Sequence, residues 1–386
     1  MALTQTELEE IYNQGDFGSD TYTVSAEEKF VVYARITDYA GNTLYISTQG
    51  AIIDTTDSKI IINPEMANDK GFYNKDVNVD IVVSEIVDNH DVYSGIKTID
   101  YRVENDGVKT QEGNLYKFDL EDPTYDQLMS DWSGSITVKA GRGQGQNNSD
   151  NVKVIITVVD NAGNEYSEET TLAINVDEIS ASIEMDGVAG KVVNGHGYFA
   201  MEERKATITL IDRAKSFNAE AATAGIVIVA YDKDGNPVEN AYEISNWTSD
   251  GNVHTATVTF KECATYEWSF SYTNDSDNTL NSITTGNSVT PFSFTVDNIA
   301  PTGTVTVNEN TWDRLLSVLT FGLYSNTKVE VTASSTDNIS PVVIEYYKTS
   351  NPIAMTKAEL DNVLFEEYED FSIKSDEQFV IYLKKI

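Results

Sequence analysis

Residues 158–177 read VVDNAGNEYSEETTLAINVD. Just upstream, Val154, Ile156 and Val158 alternate with Lys153 and Thr157, the period of a strand with one buried face. Asp160-Asn161-Ala162-Gly163-Asn164 then supplies turn chemistry: Gly163 can take a positive φ, and Asp and Asn side chains hydrogen-bond nearby backbone. Leu172, Ile174 and Val176 resume the alternation, and Val176-Asp177 ends it. The stretch therefore predicts a strand, a tight turn, a return strand and an exit. The unit recurs. Asp38-Tyr39-Ala40-Gly41-Asn42 leads to Ile53-Asp54, and a worn copy, Asn274-Asp275-Ser276-Asp277-Asn278, leads to Val296-Asp297. The exit aspartates 54, 177 and 297 follow one another at 123 and 120 residues, a tandem period.

Boundaries just after these aspartates divide the chain into 1–54, 55–177, 178–297 and 298–386. Segment 55–177 holds about seven short apolar runs separated by turn signals, the pattern of an antiparallel β-sandwich; among them are VNVDIVV at 77–83 and IKTIDYRVE at 96–104. Segment 178–297 repeats that grammar with ATITLI at 206–211, IVIVAY at 226–231 and YEWSFSY at 266–272. The two ends echo each other. ALTQTELEEIY at 2–12 and AMTKAELDNVL at 354–364 each spell a capped helix: Thr4 with Glu7, Thr356 with Glu359, and apolar staples Leu3/Leu8 and Met355/Leu360. The middle repeat carries Thr124, Gln127 and Leu128 in the same arrangement. EKFVVY at 28–33 matches EQFVIY at 377–382. Residues 1–54 thus read as the C-terminal half of a domain, and 298–386 as a domain cut before its last strand; the chain is expected to be a piece of a longer array.

Composition narrows the function classes. A formal charge of −36 on 386 residues argues against nucleic acid or an anionic membrane as partner and leaves solubility, divalent cations or a basic partner. The single cysteine, Cys263, forms no internal disulfide framework. No stretch approaches the roughly 18 apolar residues of a membrane helix, and no signal peptide is visible at the N-terminus.

The D-x-A-G-N … [VI]-D grammar, the VDNIAP junction at 296–301, and the paired Asp88-Asn89 … Ser94-Gly95-Ile96 and Asp337-Asn338 … Ser340-Pro341-Val342 segments resemble the bacterial immunoglobulin-like repeats of Gram-positive cell-surface and secreted proteins. Two junctions depart from that grammar: Asp57-Ser58 and Glu178-Ile179 stand where Ala-Pro is expected. The resemblance implies an all-β protein of tandem immunoglobulin-like β-sandwich domains in an elongated array, with a short capped helix in some repeats. It implies an extracellular or cell-surface, non-enzymatic stalk or adhesive region, whose partners are adjacent immunoglobulin-like domains and a host or glycan ligand. An accessory carbohydrate-binding module of an exported glycan-degrading enzyme is the alternative reading.

Catalytic chemistry finds little support. His90, His196 and His254 fall apart from one another without a nucleophile motif, Cys263 follows a strand, and Gly141–Gly145 lies in a polar loop with no helix after it. Trp132 and Trp247 are candidates for stacking sugars, or else packed aromatics. An intramolecular Lys–Asn isopeptide bond is a further possibility that sequence cannot place. One acidic constellation points to a metal. The loops of a sandwich of this type bring Asp88, Asp91 and Asp160 to the end where the chain enters, beside Asp54 and Asp57 of the incoming linker. Calcium takes six to eight oxygens from such loops, roughly, and a cation there would clamp adjacent domains. Asp177, Glu178, Asp212 and Asp275 would serve the next junction, and Asp297 and Asp337 the last. The same aspartates equally suit Asx turns and solvation.

Overall fold

Alternating apolar side chains separated by Gly-, Asn- and Asp-rich turns leave one way to bury a face: strands pair and two sheets close over the apolar side. The computed structural model shows this arrangement. It describes residues 3–15, 23–86, 92–120, 124–286, 291–308, 329–350, 355–368, 371–373 and 380–385. The protein is all-β, with sheets throughout and short helices. It forms two compact units: residues 1–178 with 275–278, and residues 179–274 with 279–386.

In the first unit, the Gln5–Asn13 helix begins at Thr4 with the reciprocal Thr4–Glu7 capping box, and it buries Leu8. The Leu3 N–H donates to the Tyr33 hydroxyl at 2.9 Å, holding the helix start against the Tyr33–Thr37 strand. That strand pairs with Thr43–Ser47 around the Asp38–Asn42 turn, and Glu28–Phe30 pairs with Ala51–Ile53. A two-sheet sandwich follows. One sheet runs Lys59–Pro64, Val77–Ser84, Asp131–Val138; the other runs Glu165–Leu172, Val152–Asp160, Ile96–Asn105, Val108–Lys117. Val77, Val79, Ile81 and Val83 face Val152, Val154, Ile156 and Val158 across one core, all fully buried. The expected helical turn is the 3-10 turn Tyr125–Gln127, with Thr124 and Gln127 forming the capping box.

The second unit holds a larger sandwich and a further pair of sheets. Its first sheet runs Tyr242–Ile244, Val253–Phe260, Arg204–Ile211, Ile179–Met185, Leu280–Thr285. The second runs Lys191–Val193, His196–Phe199, Ser293–Val296, Ala264–Phe270, Ile226–Tyr231. Two pairings are parallel, Ile179–Met185 with Leu280–Thr285 and His196–Phe199 with Ser293–Val296, so this segment departs from a purely antiparallel sandwich. Phe260, Tyr266 and Phe294 fill its core. Arg204 is buried with them. Its guanidinium lies 3.4 Å above the Phe199 ring and 4.2 Å from Phe294, and burial lowers it to about 10.

Farther along, Thr302–Asn308, Val329–Thr336 and Phe371–Ile373 form one three-stranded sheet. Glu366–Glu367, Ile344–Thr349 and Val380–Lys385 form another. The Lys357–Leu360 helix carries the Thr356–Glu359 capping box, and the Met355 N–H donates to the Tyr382 hydroxyl at 2.6 Å. This is the arrangement of Leu3 and Tyr33 again.

The Asp38 and Asp160 turns share one bonding pattern. The aspartate Oδ1 accepts from the N–H four residues on, at 2.8 Å in both, and the Asn amide there donates to Oδ2 at 2.8 and 2.7 Å. Asn274–Asn278 is not a third copy. Asn274 is buried and donates to Asp212 Oδ1 and Ser216 Oγ; an antiparallel Thr273–Thr279 bridge closes the turn, and the strand after it, Leu280–Thr285, runs parallel to Ile179–Met185. The turn that does repeat the pattern is Asp232–Asn236, whose Oδ1 accepts from the Asn236 N–H at 2.8 Å and whose Oδ2 accepts from the Asn236 amide at 3.0 Å.

Candidate functional site

Along Val77–Ser84 the odd-numbered residues point inward, and Glu85 continues that phase into the end of the core. Asp160 ends a strand whose even-numbered residues are all buried, and is itself fully buried. Asp54 leaves the Ala51–Ile53 strand and turns its carboxylate in at the same place. One oxygen from each of the three lies within 4.8 Å of the others, the one such acidic group among the described residues.

Each carboxylate is held. Asp54 Oδ2 accepts from the Ser94 N–H at 2.7 Å and Oδ1 from the Thr56 N–H at 3.1 Å, while its backbone carbonyl accepts from the Asn164 amide at 3.1 Å. Asp160 accepts from the N–H groups of Gly163 and Asn164 at 2.6 and 2.8 Å. Asn161 braces the loop opposite by donating to the carbonyls of Ser94 and Gly95 at 3.1 and 2.9 Å. Glu85 accepts from the Ser58 hydroxyl. Burial pushes the Glu85 carboxyl up to about 7; the Ser58 bond works against this, and the charges of Asp160 and Asp54 add to it.

Three ionised carboxylates this close and this deep repel one another in a low dielectric. Two occupants relieve that: a proton on Glu85, or a divalent cation taking one oxygen from each. The three are hard oxygen donors, which suits calcium.

The structure keeps only part of the expected ligand set together. Asp54 and Asp160 meet. Asp57 does not: it is exposed, because the extended linker alternates and turns Ser58 and Ile60 inward instead. Asp88 and Asp91 lie outside the described residues. Glu85 was missed by reading the strand as ending at Val83, although the period of two carried the signal one step further. Asp297 Oδ2 accepts from the Ser340 hydroxyl at 2.5 Å, where Asp54 takes the Ser94 backbone N–H, and Asp337 Oδ1 accepts from the Ser340 N–H at 2.9 Å. Asp177 instead binds the Asn148 amide at 2.7 Å and Arg142 at 3.5 Å, and Arg142 also reaches Glu178 at 3.9 Å. Asp212 is taken up by Tyr272 and Asn274 at 2.9 Å each.

The other candidates are packing residues. Trp247 lies against Phe217 and Phe270 and donates its Nε1–H to Thr223 Oγ1. Trp132 packs on the core of its own sandwich, over Gly134. His196 bonds Ser293 and Thr295, and burial lowers its pKa; His254 is stacked on Phe217 at 3.7 Å and bonds Ser249. Among the described residues every lysine is at least partly exposed, which is not the setting of a buried Lys–Asn bond. An open cleft of about 650 Å³ beside the Ala219–Ala224 helix is lined by small, apolar and amide side chains with one phenol, that of Tyr272. No helix of the described residues is long and apolar enough to cross a membrane.

No family model and no curated protein matches this chain. Among solved structures it is similar to a tetra-tandem repeat in the extending region of a large adhesion protein, at 14% identity and a TM-score of 0.29 over 92% of this chain and 72% of that one. It is also similar to FdeC, an Escherichia coli adhesin, at 11% identity and a TM-score of 0.27 over 75% and 78% of the two chains. A 1.5-MDa bacterial ice-binding adhesin gives 14% identity and a TM-score of 0.26 over 75% of this chain and 81% of that one. Likenesses of this size carry neither a ligand nor a role across.

Proposed function

We propose that the chain is a non-enzymatic structural and adhesive array of immunoglobulin-like β-sandwiches, secreted by or displayed on a bacterial cell, with its segments divided at residues 54, 177 and 297. The observation that carries this reading is the seating of Asp54. It is the exit residue of one hairpin and a buried member of the next sandwich, bonded to both the Ser94 loop and the Asn164 turn. A linker folded into its neighbour fastens successive modules, as a stalk requires. The surface placement rests on the repeat grammar, and the charge of −36 suits a solvated array. Small-angle scattering of the full chain tests it: an extended particle is expected, and a compact globule overturns the reading.

Within this reading, Asp54, Glu85 and Asp160 hold calcium between modules. Binding to the native state alone raises the unfolding midpoint, so melting with calcium and with chelator should differ. Identical midpoints would remove calcium and leave the array.

A further inference from the structure

We propose that calcium serves only the first of two matching acid positions, and that Asn274 is the residue that makes the second independent of it; this rests on the calcium reading of Asp54, Glu85 and Asp160. The two positions are built alike. Val77–Ser84 is the middle strand of its sheet, between Lys59–Pro64 and Asp131–Val138, and Glu85 is the residue after it. Arg204–Ile211 lies between Ile179–Met185 and Val253–Phe260, and Asp212 is the residue after it. Both acids are buried, at 4% and 3% exposure. Each lies beside the first residue of a turn, Asp160 in one case and Asn274 in the other.

The linkers repeat the match. Asp54 accepts the Thr56 N–H on Oδ1 and the Asn164 amide on its carbonyl, each at 3.1 Å. Within the same unit, Asn175 accepts the Asp177 N–H on Oδ1 and the Asn278 amide on its carbonyl, each at 3.0 Å. Asn175, two residues before the exit aspartate, is therefore the counterpart of Asp54. Two of the three carboxylates, Asp54 and Asp160, thus have amide counterparts. The remaining acid is satisfied accordingly. Asp212 accepts three hydrogen bonds: from the Arg213 N–H at 2.8 Å, and from the Asn274 amide and the Tyr272 hydroxyl at 2.9 Å each. Glu85 accepts one among the described residues, from Ser58, and has the carboxylates of Asp54 and Asp160 as neighbours. A buried carboxylate with three donors needs no counter-charge; one with a single donor and two like charges beside it does. Asn274 gives Asp212 from within the fold what a cation gives Glu85.

Hydrogen exchange of the full chain, read by mass spectrometry at one pH near neutrality, tests this segment by segment. Millimolar calcium, against chelator, should slow exchange through residues 152–160 about tenfold or more, because binding to the closed form opposes opening. Residues 204–211 should exchange at the same rate in both. Asn274→Asp should speed exchange through 204–211 in chelator, by setting two buried carboxylates against each other, and calcium should slow it again. Adding Asp212→Asn to that variant removes the pair and, with it, the calcium response. Calcium slowing both segments of the unaltered chain equally, or an Asn274→Asp variant that calcium leaves as it is, overturns the proposal while the calcium reading stands. No calcium effect on either segment of the unaltered chain overturns both.

Discussion

Glu85 shows how one side chain records its surroundings. Its carboxyl titrates at about 7 in the folded protein against an ordinary value of 4.5. Between those values the native state keeps a proton that the unfolded chain has released, so stability falls as pH rises through that window. Above it the loss is complete, on the order of 3 kcal/mol. Glu85→Gln should remove the slope and be the more stable protein at pH 8 without calcium, as read by denaturant unfolding at pH 4.5 and pH 8. Asp160→Ala acts differently. It strips the acceptor from the N–H groups of Gly163 and Asn164 and the Asn164 amide in a buried place, at a cost of about 2–3 kcal/mol; an unchanged urea midpoint would contradict that role. Asp54 and Asp160 were legible in the sequence because turns and exits have a residue signature. Glu85 was legible only as a phase, and Asp57 misled because linker proximity says nothing about which side of an extended chain faces in.

At the scale of elements, alternation located the central strands well. Val77–Ser84 was read to within a residue, and the apolar edge strand Ile226–Tyr231 with its ends in place. Polar edge strands escaped. Leu280–Thr285 and most of Val108–Lys117 are polar, because an edge facing water needs no apolar alternation, and their pairing is fixed by partners distant in sequence. The Ala219–Ala224 helix is too short for its period to register. The loop that seats Asp54 depends on Gly95, which has φ +86 and would place a Cβ 2.8 Å from Leu128 Cβ. Gly95→Ala should therefore cost about 2–3 kcal/mol. Gly163→Ala meets a positive φ but open space, and should cost about 1–2 kcal/mol. Thermal melting of the two variants checks the order; equal losses would show that the Leu128 contact is relieved by movement.

For the whole molecule, the two large hydrophobic clusters share no residue: one spans Ile60 to Ile174 and the other Ile179 to Val296. Calorimetry of the full chain should resolve at least two transitions, and a single transition with equal calorimetric and van't Hoff enthalpies would count against independent cores. The repeat period proposed for the chain is read from its exit aspartates. The parallel pairing of the strand after Asn274–Asn278 was not legible in sequence, since that stretch keeps the letters of a turn while Asp212 takes its first amide.

Those parallel strands bear on what happens when the chain is pulled. Ile179–Met185, where the backbone enters its sandwich, lies parallel to Leu280–Thr285, and Ser293–Val296, where it leaves, lies parallel to His196–Phe199. Tension applied at the two ends of this segment drags each terminal strand lengthwise past its parallel neighbour. The ladder bonds are then loaded together in shear, instead of parting one at a time as in an antiparallel hairpin unzipped from its open end. A segment wired this way yields late under load.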